Sequence, residues 1–326
     1  MTRLRLGLIG LGRWGRTLVR TLNETPDVDL ARTASRGPRP PDIAGADCRH
    51  FTDWRESLDP EAIDGVIIAT PPAVHAEMAI EALRRHIPVF VEKPLTMKLR
   101  EAQDVQNAAR ANNTLIMVDH THLFSPAYRE LKNQIGNPDT IRALHCISGN
   151  MGPFRSDVPV LWDWGSHDIA LCMDLLGFDL NCRLARYLEH RNVDGAAGEL
   201  IELHLESDMS VPIHMRVGNI MQPKTRFFAV YLEDSLFIYD DQSVHKLKRY
   251  EATSVFSPPP GTGAIITVEN EPPLKNALIE FRSAIRSGDT QHVSLDLGIA
   301  VVAALEKCEA MLPSAGGYSG IAGQRT

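Results

Sequence analysis

Several protein classes are excluded by what this sequence lacks. Its five cysteines, Cys48, Cys146, Cys172, Cys182 and Cys308, include no CxxC pair. An odd, scattered set fits reduced, mostly buried thiols of a cytosolic protein, not a disulfide framework or a thiolate metal site. No apolar run approaches the about 18 residues that span a bilayer. The N-terminus, MTRLRLGLIGLGRWG, is apolar but short and Gly-rich, and it runs into Arg13 and Arg16 without a small-residue cleavage site. It reads as a buried first strand, and the cytoplasm is the expected location. Positive charge is not in excess: 34 Lys and Arg against 41 Asp and Glu give a net charge of −7. Nucleic-acid and anionic-membrane partners are therefore not expected, since phosphate binding needs clustered Lys and Arg. No fixed-period repeat is present. His120 and His122 have metal-like spacing, but no third ligand is suitably spaced, so no metal is expected.

What is present is ordinary for a globular protein. The 326 residues, 44% hydrophobic and 23% charged, suggest roughly two domains at about 150 residues each. In the first part, apolar strand-length segments at 4–10, 28–35, 65–70, 88–91 and 115–118 alternate with helical stretches at 13–22, 73–85 and 99–112. That alternation predicts βαβ units and a parallel, doubly wound sheet. It stops near residue 120. Beyond lie β-rich segments at 141–148, 200–206, 211–217, 227–232 and 235–239, then two closing helices at 273–287 and 294–312. The expected division is an α/β domain over 1–119 and an α+β domain with a mostly antiparallel sheet over 120–326. Gly37 to Pro41 and Ser257 to Gly263 read as loops, because Pro cannot donate to a helix or sheet ladder.

Gly10-Leu11-Gly12-Arg13-Trp14-Gly15 fits GxGxxG between a strand and a helix. Gly10 allows the tight turn, Gly12 lets a pyrophosphate approach the backbone, and Gly15 lets the helix pack on the sheet. The anion then meets free N–H groups and the helix dipole. Gly10 to Thr17 also reads GxxxxGRT, but the phosphate-holding Lys of a P-loop is missing, so nucleotide hydrolysis is disfavoured. An acid about 20 residues beyond the glycines would bind the ribose of NAD. That count lands on Ser35, followed by Arg36, while Asp29 lies at the wrong end of its strand. Ser35 and Arg36 suit a 2′-phosphate, with Arg39 as a second cation. NADP is the expected cofactor, with NAD the alternative.

Two further segments carry a family resemblance. One runs from Ala69-Thr70-Pro71-Pro72-Ala73-Val74-His75 to Val91-Glu92-Lys93-Pro94. The other is Trp162-Asp163-Trp164-Gly165-Ser166-His167-Asp168. With the glycine loop, and with Glu280 to Gly288 near the end, they resemble the Gfo/Idh/MocA family of dinucleotide-dependent oxidoreductases over nearly the whole chain. The resemblance implies an N-terminal Rossmann domain followed by an α+β domain with a large open-faced sheet. That sheet would serve substrate binding or homodimer or homotetramer formation, with the active site between the domains. It also implies catalytic roles for Lys93, Asp163 and His167. Many members carry a further Asp three residues past the His; here that position is Ala170. Asp119 to Pro126 resembles the subset near sugar and nucleotide-sugar pathways.

Oxidising a secondary alcohol sends a hydride to nicotinamide and a proton to a base, and His titrates near working pH. Asp163 and His167 are four apart and would share a helix face, so the carboxylate can orient the imidazole. Lys93 ends a parallel strand, the sheet edge where such folds bind ligands. It can hold the substrate oxygen and stabilise alkoxide charge. Thr70, Pro71, His75, Trp14, Arg13 and Glu92 are expected to line the cofactor. His120 and Arg155 are expected to contact substrate, Arg155 through a carboxylate or phosphate. The expected substrate is a small sugar-like molecule. Two other readings stay open: a dehydrogenase of a non-sugar substrate, such as a dihydrodiol or a biliverdin-like compound, and a non-catalytic dinucleotide-binding sensor.

Overall fold

A computed structural model describes residues 2–40 and 48–313; Pro41, at the end of the first expected loop, lies outside them. The chain forms two compact units, residues 1–126 with 270–302, and residues 127–269 with the stretch from 303 onward.

The first unit contains β1 (Leu4–Ile9), α1 (Arg13–Glu24), β2 (Val28–Ala34), β3 (Arg49–Phe51), α2 (Trp54–Ser57), β4 (Gly65–Ile68), α3 (His75–Arg84), β5 (Val89–Glu92), α4 (Leu99–Asn112) and β6 (Ile116–Asp119). Its strands form one sheet in the order β3-β2-β1-β4-β5-β6, and every pairing is parallel. This is the order of a dinucleotide-binding sheet made of two mononucleotide halves. Val66, Ile67, Ile68, Val89, Phe90 and Val91 are wholly buried, as strands covered by helices on both faces must be.

The second unit contains α5 (Pro126–Ile135), β7 (Ile141–Met151), α6 (Ser166–Leu176), β8 (Leu180–Val193), β9 (Ala196–Ser207), β10 (Pro212–Gly218), β11 (Ile220–Leu232), β12 (Ser235–Asp240), β13 (Leu247–Glu251) and β14 (Ala264–Ile266). The sheet order is β14-β13-β12-β11-β7-β10-β9-β8. Only β10 and β7 run parallel; the other neighbours are antiparallel. The Tyr128 hydroxyl donates to Leu171 O and to Asp174, each at 2.9 Å, and so ties α5 to α6.

The closing helices are α7 (Pro273–Ser287) and α8 (Ser294–Met311). Here the structure departs from the contiguous 1–119 and 120–326 division. α7 returns to the first unit, where Leu274, Ala277, Leu278 and Phe281 join the core with Leu18 and Leu22 of α1. The rings of Phe281 and Phe90 lie 5.4 Å apart. The physical reason is the apolar stripe of α7, which has the helical period and needs a partner surface. Among the described residues, no helix is long and apolar enough to cross a membrane.

Candidate active site

The glycine loop joins β1 to α1 as its spacing requires. Gly10 has φ +102°, and a Cβ there would lie 2.4 Å from Ala69 O. A Cβ on Gly15 would lie 2.0 Å from Gly10 O, so the helix enters too closely for any side chain. At Gly12 the opposite holds: a Cβ would meet nothing within 4 Å. Gly12 is also the N-cap of α1; no side chain caps the helix, and its first turn holds no acid. Open space in front of uncapped N–H groups fits a dinucleotide pyrophosphate. Arg13 opens the helix, exposed, beside this space.

Ser35 and Arg36 follow β2 at its C-terminal end. Ser35 Oγ donates to Gly37 O at 3.2 Å, and Arg36 is exposed. Arg39 is engaged, donating to Cys48 O at 2.9 Å. Asp29 lies at the far end of the strand and pairs with Arg3 at 2.8 Å. Ser35 and Arg36 thus stand at the C-terminal end of β2, the sheet edge at which open α/β folds bind ligands.

At the ends of β4 and β5, Thr70 is half-buried and Pro71 exposed, while His75 is wholly buried. Its ring nitrogens face the carbonyls of Thr70 at 2.9 Å and Pro94 at 3.0 Å. His75 therefore braces the two loops that bear Thr70 and Lys93 and offers no surface to a cofactor, contrary to expectation. Burial pushes its pKa down. Lys93 is half-buried, and its bond to Pro94 is cis. Glu92 is buried, and its Oε1 accepts a hydrogen bond from the Trp14 indole N–H. Trp14 thus reaches from the start of α1 to the end of β5, leaving 42% of its surface exposed.

His120 differs from expectation. It is 2% exposed, so as placed it cannot touch a substrate. Neither ring nitrogen has a hydrogen-bond partner among the described residues. Burial, aided by the Lys93 charge, pushes its pKa down to about 3.

In the second unit, Asp163 lies in a π-helical turn, Leu161–Gly165, which runs into α6 at Ser166. The pair spaced four apart therefore spans a π-to-α junction and not one regular α-helix, and π-turns often mark functional sites. Asp163 and His167 are both half-buried. Arg155 donates to Asp157 at 2.9 and 2.7 Å and approaches Asp163 at 3.7 Å. Arg155, Asp163, Trp164 and Asn219 line a shallow surface depression. Arg155 is already held between two carboxylates, which weakens the expectation that it captures a substrate anion. Trp162 is buried in the core.

A family model described as the oxidoreductase family with an NAD-binding Rossmann fold, GFO_IDH_MocA, matches residues 4–120. A crystal structure from Magnetospirillum magnetotacticum MS-1, described without further assignment as an oxidoreductase, is 36% identical. It superimposes with a TM-score of 0.87 over 94% of this chain and 100% of that one. The chain belongs to the Gfo/Idh/MocA oxidoreductase family. This family member is also similar to the rhizopine catabolism protein MocA of Rhizobium meliloti, 29% identical over 136 residues, 41% of this chain and 43% of that protein. It is similar to scyllo-inositol 2-dehydrogenase (NADP(+)) IolU of Bacillus subtilis, 26% identical over 216 residues, 62% of this chain and 63% of that enzyme. The matched part of the chain thus spans about half the length of these curated relatives.

Three residues of this Gfo/Idh/MocA member escaped the sequence reading. Asp119 is the register partner of Glu92 across β5 and β6. Asp168 is buried in the first turn of α6 with Arg226, which reaches it from β11. Asp119 had a signal, an acid closing an apolar strand. Arg226 had none, because only the sheet register brings it to Asp168.

Proposed function

We infer that the chain is an NAD(P)-dependent oxidoreductase acting on the secondary alcohol or ketone of a sugar, polyol or nucleotide sugar, with NADP preferred. The observation that carries this reading is the uncapped start of α1 over open space at Gly12, on the same sheet edge as Lys93. Similarity to an enzyme named as an NADP(+)-dependent inositol dehydrogenase supports both the polyol hydroxyl and the cofactor. The cofactor choice rests further on Ser35 and Arg36 standing where an NAD-selective acid would.

Bound at the glycine loop, the dinucleotide supplies the hydride acceptor or donor. The chain's residues do the rest. The N–H groups at the start of α1 hold the pyrophosphate, and Ser35 and Arg36 hold the 2′-phosphate. The Lys93 ammonium donates to the substrate oxygen and stabilises negative charge on it. His167 takes the hydroxyl proton in oxidation and returns it in reduction. Asp163 accepts from the imidazole and favours its cation.

The test is turnover on a panel of inositols, aldoses and nucleotide sugars, with aromatic diols as the contrast, followed by reduced-nicotinamide absorbance. Lys93→Met and His167→Ala should each lower turnover at least about 100-fold. Near wild-type turnover in both variants, or turnover of aromatic diols alone, would contradict the reading.

A further inference from the structure

Glu92 and Asp119 close neighbouring parallel strands at the same register. They are 7% and 0% exposed, so two buried carboxyls stand side by side at one strand end. Two carboxylates that share a buried site do not both stay ionised, so one of them holds a proton. The surrounding groups leave room for one. The Trp14 indole donates to Glu92 Oε1, and Thr121 Oγ1 donates to Asp119 Oδ1 at 2.9 Å. Asp119 Oδ2 is buried with no hydrogen-bond partner among the described residues, which leaves it free to carry the proton. The charged and titratable groups facing the pair are few. Lys93 follows Glu92 on the same strand end, and His120 follows Asp119, kept neutral by burial. Burial raises both carboxyls, Asp119 to about 6, and the Asp119 charge raises Glu92 further, while Lys93 holds both down.

We propose that Glu92 and Asp119 share one proton, which leaves when an oxidised dinucleotide binds and stays when a reduced one binds. The inference rests on the dinucleotide reading above. In this strand order a dinucleotide would cross the sheet at β1 and β4, and its nicotinamide half would lie over the ends of β4, β5 and β6, where the acid pair stands. The oxidised ring carries a positive charge that the reduced ring lacks. A nearby positive charge favours the carboxylate form, and linkage makes the coupling mutual. The pair therefore tunes the site to cofactor charge: affinity for the oxidised form should rise with pH more steeply than affinity for the reduced form. Asp119 acts here as a positioning residue through Glu92.

The experiment has two parts. In ligand-free protein, the Trp14 contribution to fluorescence, isolated by subtracting Trp14→Phe, should show a step between about pH 5 and 8. Asp119→Asn, which supplies a permanent donor to Glu92, should abolish the step. Calorimetry in buffers of different ionisation enthalpy then counts protons released on binding. NADP⁺ should release about one more proton than NADPH; the 2′-phosphate is common to both and cancels. Asp119→Asn should remove that difference, and Glu92→Gln serves the same purpose if Asp119→Asn fails to fold. Equal proton counts for the two cofactor forms, or a difference unchanged by the variants, would overturn the coupling. If neither cofactor binds, the dinucleotide reading falls with the coupling; a missing ligand-free step overturns the shared proton by itself.

Discussion

Asp168 meets Arg226 in the interior of the second unit, with carboxylate and guanidinium 3.6 Å apart. Ser148 donates to the same carboxylate. Ser148 and Arg226 are register partners on β7 and β11, so the first turn of α6, next to His167, is fixed to two adjacent strands at once. Burial raises the Asp168 carboxyl, and Arg226 and Ser148 oppose it. Removing one partner strands a buried charge. Arg226→Met should cost about 3–5 kcal/mol in urea unfolding, and it should also lower turnover by loosening the segment that carries His167. A loss under about 1 kcal/mol would mean the pair is solvated and places nothing.

Gly12 and Gly15 should separate folding from binding. Gly12→Ala adds a methyl where nothing lies within 4 Å, so thermal stability should move by less than about 1 kcal/mol. The methyl occupies pyrophosphate space, so cofactor affinity should fall at least about tenfold, near 1.4 kcal/mol. Gly15→Ala places its methyl 2.0 Å from Gly10 O and should lose stability and binding together. Equal affinity of Gly12→Ala and wild type, by fluorescence titration, would move the cofactor away from this loop.

Phe281 tests the return of α7 to the first unit. It is fully buried and packs on Phe90. Phe281→Ala should cost about 3–5 kcal/mol, the range for large aromatic truncations in a core. Hydrogen exchange should show the loosening in β1, β4 and β5. Protection lost only in the antiparallel sheet would contradict the division into units.

His120 should give stability a distinct pH dependence. Its folded pKa, about 3, lies below its ordinary value of 6.5. Folding therefore favours the neutral ring. Its contribution is fully present above about pH 6.5 and is lost as pH falls through that value toward 3. His120→Leu should lose less stability than wild type on acidification over this window, measured by unfolding at several pH values. Parallel curves would show that His120 titrates normally.

The sequence made the first unit readable because its strands are continuous apolar runs and its turns carry glycine and proline. Glu92, Lys93 and the glycine loop fell at strand ends that the alternation had already marked. The edge strand β8 was not foreseen: Leu180–Val193 mixes Arg183, Arg186, Glu189 and Arg191 with apolar residues, and half-exposed edges lack a clean period. Its ion pairs, such as Arg186 with Glu202, exist only once β9 lies beside it. The return of α7 was equally hidden, since an apolar stripe declares that a helix is buried but not against what. His75 and His120 show the same limit at the site: each falls at the right place along the chain, and only packing makes one a brace and the other a buried, unbonded ring.

Fluorescence titration of the purified protein with NADPH and with NADH, repeated for Arg36→Ala, decides whether the glycine loop and the end of β2 hold a 2′-phosphorylated dinucleotide. NADPH should bind more tightly, and Arg36→Ala should weaken it at least about tenfold while leaving NADH affinity unchanged. Tighter binding of NADH would remove the 2′-phosphate role of Ser35 and Arg36, and binding of neither would rule out a dinucleotide-dependent oxidoreductase.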